Sequence, residues 1–189
     1  NIQIPLISLV YRTPGMKEKD SYVLNMISTI LTEGKSSRMY KKMVDDDKEA
    51  IQVLAFNNSM EDYGMYVIGA LPMGDTPLNT LAESMDEEIK KLQTELISEK
   101  EFQKLQNIYM NRFVNSNSTV QGIASSLATY HMLYGDANLI NKEIEIYQNI
   151  TREDIKRVAS EYLNDNQRLK LYYLPASEKP EGDAENQSQ

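Results

Sequence analysis

Two runs decide the fold class: Ile51-Gln52-Val53-Leu54-Ala55-Phe56 and Met65-Tyr66-Val67-Ile68-Gly69-Ala70-Leu71. Each is short, apolar and rich in β-branched or aromatic residues, so each reads as a strand. The stretch between them, Asn57 to Gly64, is polar and turn-rich. The pair therefore reads as an antiparallel hairpin with a longish loop. Strands that follow each other without an intervening helix do not fit an alternating parallel sheet.

Helices are read on both sides of this pair. Upstream, Ile2 to Tyr11 reads as a strand that ends at the turn Thr13-Pro14-Gly15. Val23, Leu24, Ile27, Ile30 and Leu31 then fall on one helical face, with Gly34 as the stop. Ser36 or Ser37 is placed to cap a second short helix carrying Met39, Tyr40, Met43 and Val44. Asp45-Asp46-Asp47 ends it, because clustered anions oppose the negative end of the helix dipole.

Downstream, Thr76 as N-cap and Pro77 in the first turn predict a helix running to about Leu96, with Leu78, Leu81, Met85, Ile89 and Leu92 as its stripe. Ser98-Glu99-Lys100-Glu101 has capping-box spacing and opens a helix with Phe102, Leu105, Tyr109 and Phe113. Asn115 to Thr119 is poor helix material and predicts a break. Helical spacing resumes at Val120, Ile123, Ala124, Leu127, His131 and Tyr134, and ends at Gly135-Asp136.

A further cap at Thr151 starts a helix with Ile155, Val158, Ala159 and Tyr162, and Leu169 to Tyr173 alternates as a last strand. The order predicts an α+β fold: a two-layer structure with a mostly antiparallel sheet packed against a block of helices. Residues 1–175 read as one domain and 176–189, rich in Glu, Ser and Gln, as a flexible acidic tail. The chain enters its first strand without an initiator Met or signal peptide, which leads to the expectation of an internal piece of a longer protein.

Composition narrows the chemistry. Among 189 residues there is no Cys and one His, which excludes disulfides, thiolate nucleophiles, Cys-based metal sites and any site needing two imidazoles. The balance of 20 Lys and Arg against 28 Asp and Glu, a net charge of −8, disfavours nucleic acid. No apolar run approaches the roughly 20 residues that span a bilayer.

His131 shares a helical face with Leu127 and Tyr134 and reads as a locally bonded histidine, not a ligand. Asp45-Asp46-Asp47 with Glu49 lacks calcium-loop spacing and reads as a solvated run. The 10 methionines are assigned mainly to core positions, with some able to line an adaptable peptide-contacting wall. The 12 tyrosines, Tyr172 and Tyr173 included, read as amphipathic packing at element margins.

Several segments, taken in order, resemble the pitrilysin/insulinase family of zinc metallopeptidases, which includes the mitochondrial processing peptidases. They are Leu9-Val10-Tyr11-Arg12-Thr13-Pro14-Gly15, Ile30 to Tyr40 with Gly34-Lys35-Ser36-Ser37-Arg38 at its centre, Ala124-Ser125-Ser126-Leu127 leading to Tyr134-Gly135-Asp136, and Ile150-Thr151-Arg152-Glu153-Asp154-Ile155 with Ala159 and Tyr162-Leu163. The resemblance covers residues 1 to about 175. It implies that this chain is the second, non-zinc domain of one half of such a peptidase.

On that resemblance, zinc is expected in an upstream domain of the same parent chain, and no cofactor in this one. The partners implied are that upstream domain, a second half supplied by a partner subunit or fused repeat, and a peptide substrate; a bacterial periplasmic or envelope location is also implied. No residue of this chain is assigned a catalytic or metal-binding role.

Many family members carry an Arg after the Gly-x-Ser-Ser-Arg segment and a Tyr seven residues later, which bind substrate across the chamber. Val44 and Ile51 occupy those positions here. Neither side chain can donate the charge-assisted or phenolic hydrogen bonds that hold a carbonyl or oxyanion. Two readings stay open: a zinc-bearing half whose Arg/Tyr pair comes from the other half, or a catalytically inactive, core-subunit-like protein serving structure or assembly.

Overall fold

The computed structural model describes residues 4–175. The expectation of a flexible tail over 176–189 lies outside them, as does the start of the first predicted strand at Ile2. Strand β1 spans Leu6–Pro14, helix α1 Lys19–Thr32, and a π-helical turn Tyr40–Asp46. The hairpin follows as β2 (Ala50–Ser59) and β3 (Tyr63–Pro72). Helices α2 (Leu78–Thr94), α3 (Glu99–Ser116) and α4 (Val120–Thr129) come next. α4 continues as a π-helical turn over Tyr130–Tyr134. A 3-10 turn (Ala137–Asn141), α5 (Glu143–Gln148), α6 (Arg152–Tyr162) and β4 (Arg168–Tyr173) complete the order.

The four strands form one antiparallel sheet in the order β2-β3-β1-β4. Residues directly opposite in such a sheet share a face. Leu9 faces Ile68, and Tyr11 faces both Tyr66 and Arg168, which sets the inner face. α1, α2 and α6 pack on that face with Leu24, Ile27, Leu81, Met85, Ile155 and Val158 fully or almost fully buried. The register also aligns Phe56, Val67, Val10 and Leu169 across the opposite, outer face, where Phe56 and Leu169 are exposed. The α+β architecture is as the sequence predicts.

α1 is buried around much of its circumference, not along one stripe, because it is wedged between the sheet and α3, α5 and α6. The hairpin loop is short: β2 runs on through Asn57-Asn58-Ser59, and β3 already starts at Tyr63. The polar strand end is tolerated because the Asn57 Nδ2 donates to Ser21 Oγ at 3.1 Å and to Ser59 Oγ at 2.7 Å.

Thr76 does not cap α2. Its hydroxyl donates to the Met73 carbonyl at 2.7 Å, and Pro77 takes the cap position. Ser37 likewise donates to the Gly34 carbonyl at 2.7 Å, which closes a turn instead of capping a helix. Only half of the box at Ser98 forms, since the Glu101 amide donates to Ser98 Oγ while its carboxylate is held by Arg38. The box at Thr151 and Asp154 is complete.

The largest departure is α4. Among the described residues its apolar stripe is largely exposed: Val120 is 86% exposed and Met132, in the continuing turn, 79%. The methionines also divide differently from expectation. Met26, Met39, Met43 and Met85 are buried, whereas Met60, Met65, Met73, Met110 and Met132 are exposed.

Candidate functional site

The corner between the first π-helical turn and β2 holds the two positions singled out in the sequence. Met39 and Met43 anchor the turn in the core. The wider coil shows in the Asp47 amide reaching back five residues to the Lys42 carbonyl at 2.8 Å. Lys48 then takes a left-handed φ of 52°, a conformation uncommon for a residue with a Cβ. A β-bulge between Ala50 and Gln52 completes the bend.

The turn and β2 pack on each other, so Val44 and Ile51 fall at the same end of the sheet. Val44 is half-buried against the core, and Ile51, on the edge strand, is 51% exposed. Both present only hydrocarbon. Glu49 between them has a buried carboxylate oxygen, Oε1, without a hydrogen-bond partner.

Ion pairs tie this corner to the helices. Arg38 holds Glu101 of α3 in a two-pronged contact, Nε to Oε1 at 2.9 Å and Nη2 to Oε2 at 2.7 Å. These bonds raise the pKa of the guanidinium, against the opposing effect of burial. Lys42 reaches Glu87 of α2.

A second cluster, which the sequence reading missed, is aromatic. Tyr109 of α3 stacks on Tyr147 of α5 with centroids 4.3 Å apart, and Tyr22 of α1 meets Tyr147 edge-on at 5.4 Å. Arg112 lies over the Tyr109 ring and pairs with Glu33. Hollows of about 350 and 270 Å³ both draw on Tyr109, Arg112 and Tyr147 in their walls.

Burial raises the pKa of the Tyr109 phenol, which therefore stays protonated and serves as a hydrogen-bond partner to Thr29 at 3.1 Å. The hydrogen bond from Arg112 holds the Glu33 carboxyl below its ordinary value. The i, i+3 spacing of Tyr109 and Arg112 was available in the sequence. Their meeting with Tyr147 from another helix was not.

His131 sits in the exposed π-helical continuation of α4 and lines neither aromatic hollow. Asp45, Asp46 and Asp47 are exposed. Among the described residues no group of three or more His, Cys, Asp or Glu side chains could hold a metal ion. The described residues do not fit a zinc ion.

Fold and surface define a helix-backed antiparallel-sheet domain. Residues 1–109 match the family described as Peptidase M16 inactive domain, which is more than half of the chain, and the chain belongs to that family. This agrees with the pitrilysin/insulinase resemblance.

The zinc protease PqqE of Helicobacter pylori is 27% identical over 178 residues, 92% of this chain and 39% of the relative. This chain thus spans about two-fifths of the length of that relative. Among solved structures, a protease from Helicobacter pylori superposes with a TM-score of 0.85 at 23% identity, covering 92% of this chain and 42% of that one. An inactive peptidase domain from Bordetella parapertussis gives a TM-score of 0.79 at 20% identity over 90% of this chain and 92% of that one. At these identities the two structures speak for the fold alone.

Proposed function

We propose that this chain is the non-catalytic domain of a zinc-dependent endopeptidase, completing a peptide-binding chamber whose zinc site lies in an upstream domain of the same parent chain. The observation that carries the reading is membership of the inactive-domain family together with similarity to a zinc protease across 92% of this chain but only 39% of the relative. A zinc protease needs a ligand set, and the described residues supply none. The role left to this domain is packing, contact with the other half and a share of the chamber wall. If the net charge of −8 lies on that wall, basic peptides are favoured; a surface map with the acids spread evenly outside would remove this extension.

Val44 and Ile51 support the same placement. A half that carries zinc has no need of its own Arg/Tyr pair if the other half, a partner subunit or fused repeat, reaches across with one. The test is the sequence preceding Asn1 and the activity of the longer protein. The expected outcome is an H-x-x-E-H motif upstream, stoichiometric zinc by elemental analysis, and peptide turnover that a chelator abolishes. Absence of that motif would replace this reading with the inactive, assembly-type alternative.

A further inference from the structure

We propose that the outer face of the sheet carries a binding site for the carboxyl end of a peptide, with Arg12 as its anion anchor and an apolar seat beside it. The chain has six arginines. Five hold carboxylates: Arg38 with Glu101, Arg112 with Glu33, Arg152 with Glu99, Arg157 with Asp20 and Arg168 with Asp86. Arg12 holds none among the described residues. Its guanidinium lies over the Tyr63 ring instead, 5.5 Å from the centroid.

Arg12 follows Tyr11 and precedes Thr13, both buried on the inner face, so its own side chain stands on the outer one. It borders an open hollow of about 590 Å³ whose apolar wall is Val10, Met60, Met65 and Leu169. Arg12 is the only charged residue lining this hollow among those described. A neighbouring hollow shares Arg12 and Tyr63 but also has Asp62 in its wall, which disfavours an anion there. The charge pattern therefore directs a carboxylate to the first.

The rim is formed before any ligand arrives. The Met16 amide donates to the Met60 carbonyl at 2.8 Å, which pins the hairpin tip to the turn after β1. Gly15 makes this approach possible, since a Cβ there would stand 2.5 Å from the Glu61 carbonyl oxygen. A preformed rim reduces the ordering cost of binding.

The guanidinium fork can take both oxygens of a terminal carboxylate while its face stays on Tyr63. The Gln167 amide at the edge of the hollow offers a hydrogen bond to the backbone preceding that carboxylate. The last side chain would rest on Val10, Met65 and Leu169, where flexible thioethers accept varied apolar shapes. The choice of a peptide over another carboxylic acid rests on the peptidase reading and on Gln167. Binding itself needs no zinc and no other domain, so a negative result here leaves that reading standing.

The test is a fluorescence-anisotropy titration with the 189-residue chain. The probe is the tetrapeptide Ala-Ala-Leu-Phe, labelled with fluorescein at its amino end, as the free acid and as the C-terminal amide. The free acid is expected to bind saturably and at least about tenfold more tightly than the amide. Arg12→Gln should abolish the difference between acid and amide, and Leu169→Gln should weaken the acid. Circular dichroism should show both variants folded, because both positions are exposed. Equal binding of acid and amide, no saturable binding of the acid up to about 1 mM, or binding of decanoate but not of the peptide acid would each overturn the proposal.

Discussion

Arg168 at the start of β4 and Asp86 of α2 form a two-pronged ion pair across 82 positions of sequence, with Nη2 and Oδ2 2.9 Å apart. The Arg168 side chain is only 8% exposed, and its Nη1 also donates to the Tyr11 hydroxyl at 3.3 Å. One contact thus joins the edge strand, the central strand and the helix layer. Burial pushes the Tyr11 phenol up to about 12, with Arg168 partly offsetting it.

Removing Asp86 leaves this enclosed guanidinium with only Asp165, an exposed carboxylate 3.1 Å from its Nη1. Asp86→Ala is expected to cost about 2–4 kcal/mol in urea denaturation. Asp86→Ala combined with Arg168→Met should cost less than Asp86→Ala alone, since the cation left with only the exposed Asp165 is gone. A cost below about 0.5 kcal/mol for the single change, the range of a neutral surface substitution, would contradict this assignment.

Asp20 of α1 is clasped by Arg157 of α6 through bonds of 2.6 and 3.0 Å, and accepts from the Tyr162 hydroxyl at 3.2 Å. The Arg157 bonds hold its pKa below the ordinary 3.8, against the effect of burial. The folded state therefore binds this proton less tightly than the unfolded chain. Its contribution is fully present above the unfolded value and is lost as pH falls through the depressed folded value. Asp20→Asn should lower stability at neutral pH by about 1 kcal/mol. The difference between the two proteins should start to shrink as pH falls past 3.8 and vanish only below the depressed folded value, in denaturation curves taken across the acid range.

Gly122 lies where α3 turns into α4, and a Cβ there would stand 2.0 Å from the Ser116 carbonyl oxygen. That neighbour is backbone and cannot rotate away. Gly122→Ala is expected to cost about 1–3 kcal/mol. Because α4 makes little contact with the core, the loss should appear as faster hydrogen exchange confined to residues around 117–134.

The variant Val44→Arg with Ile51→Tyr introduces the Arg/Tyr pair that the family resemblance would place at these two positions. It is expected to show no turnover of a quenched fluorescent peptide in this chain, since the described residues offer no metal set to cooperate with it. Ile51→Tyr should alter stability by less than about 0.5 kcal/mol on its exposed edge. Val44→Arg should cost about 1–2 kcal/mol, because part of the side chain meets the core.

The hairpin, the order of elements and the complete cap at Thr151 were legible because periodicity, turn residues and capping act within a few positions of each other. Asn57 was misread as loop for a physical reason: what keeps it in a strand is Ser21, 36 positions away. Thr76 and Ser37 had the right residue type for a cap but found nearer carbonyls to bond. Val44 and Ile51 were identified from the sequence, and the fold brings their elements to one corner. The tyrosine cluster and the isolation of Arg12 were not visible there.

The sequence by itself determined an α+β layer fold, a chemistry without thiols or paired imidazoles, and a family likeness carried by ordered short motifs. Tertiary structure alone decided that five arginines would meet carboxylates of other elements while Arg12 met a tyrosine ring, and that among the described residues the stripe of α4 would stay largely exposed. The reason lies in range. Helix faces and caps are set by neighbours three or four positions away, as are the pairs of Arg157 with Asp154 and Glu161 and of Arg168 with Asp165. The ion pairs of the arginines between elements, by contrast, span 53 to 137 positions and exist only once the layers have packed.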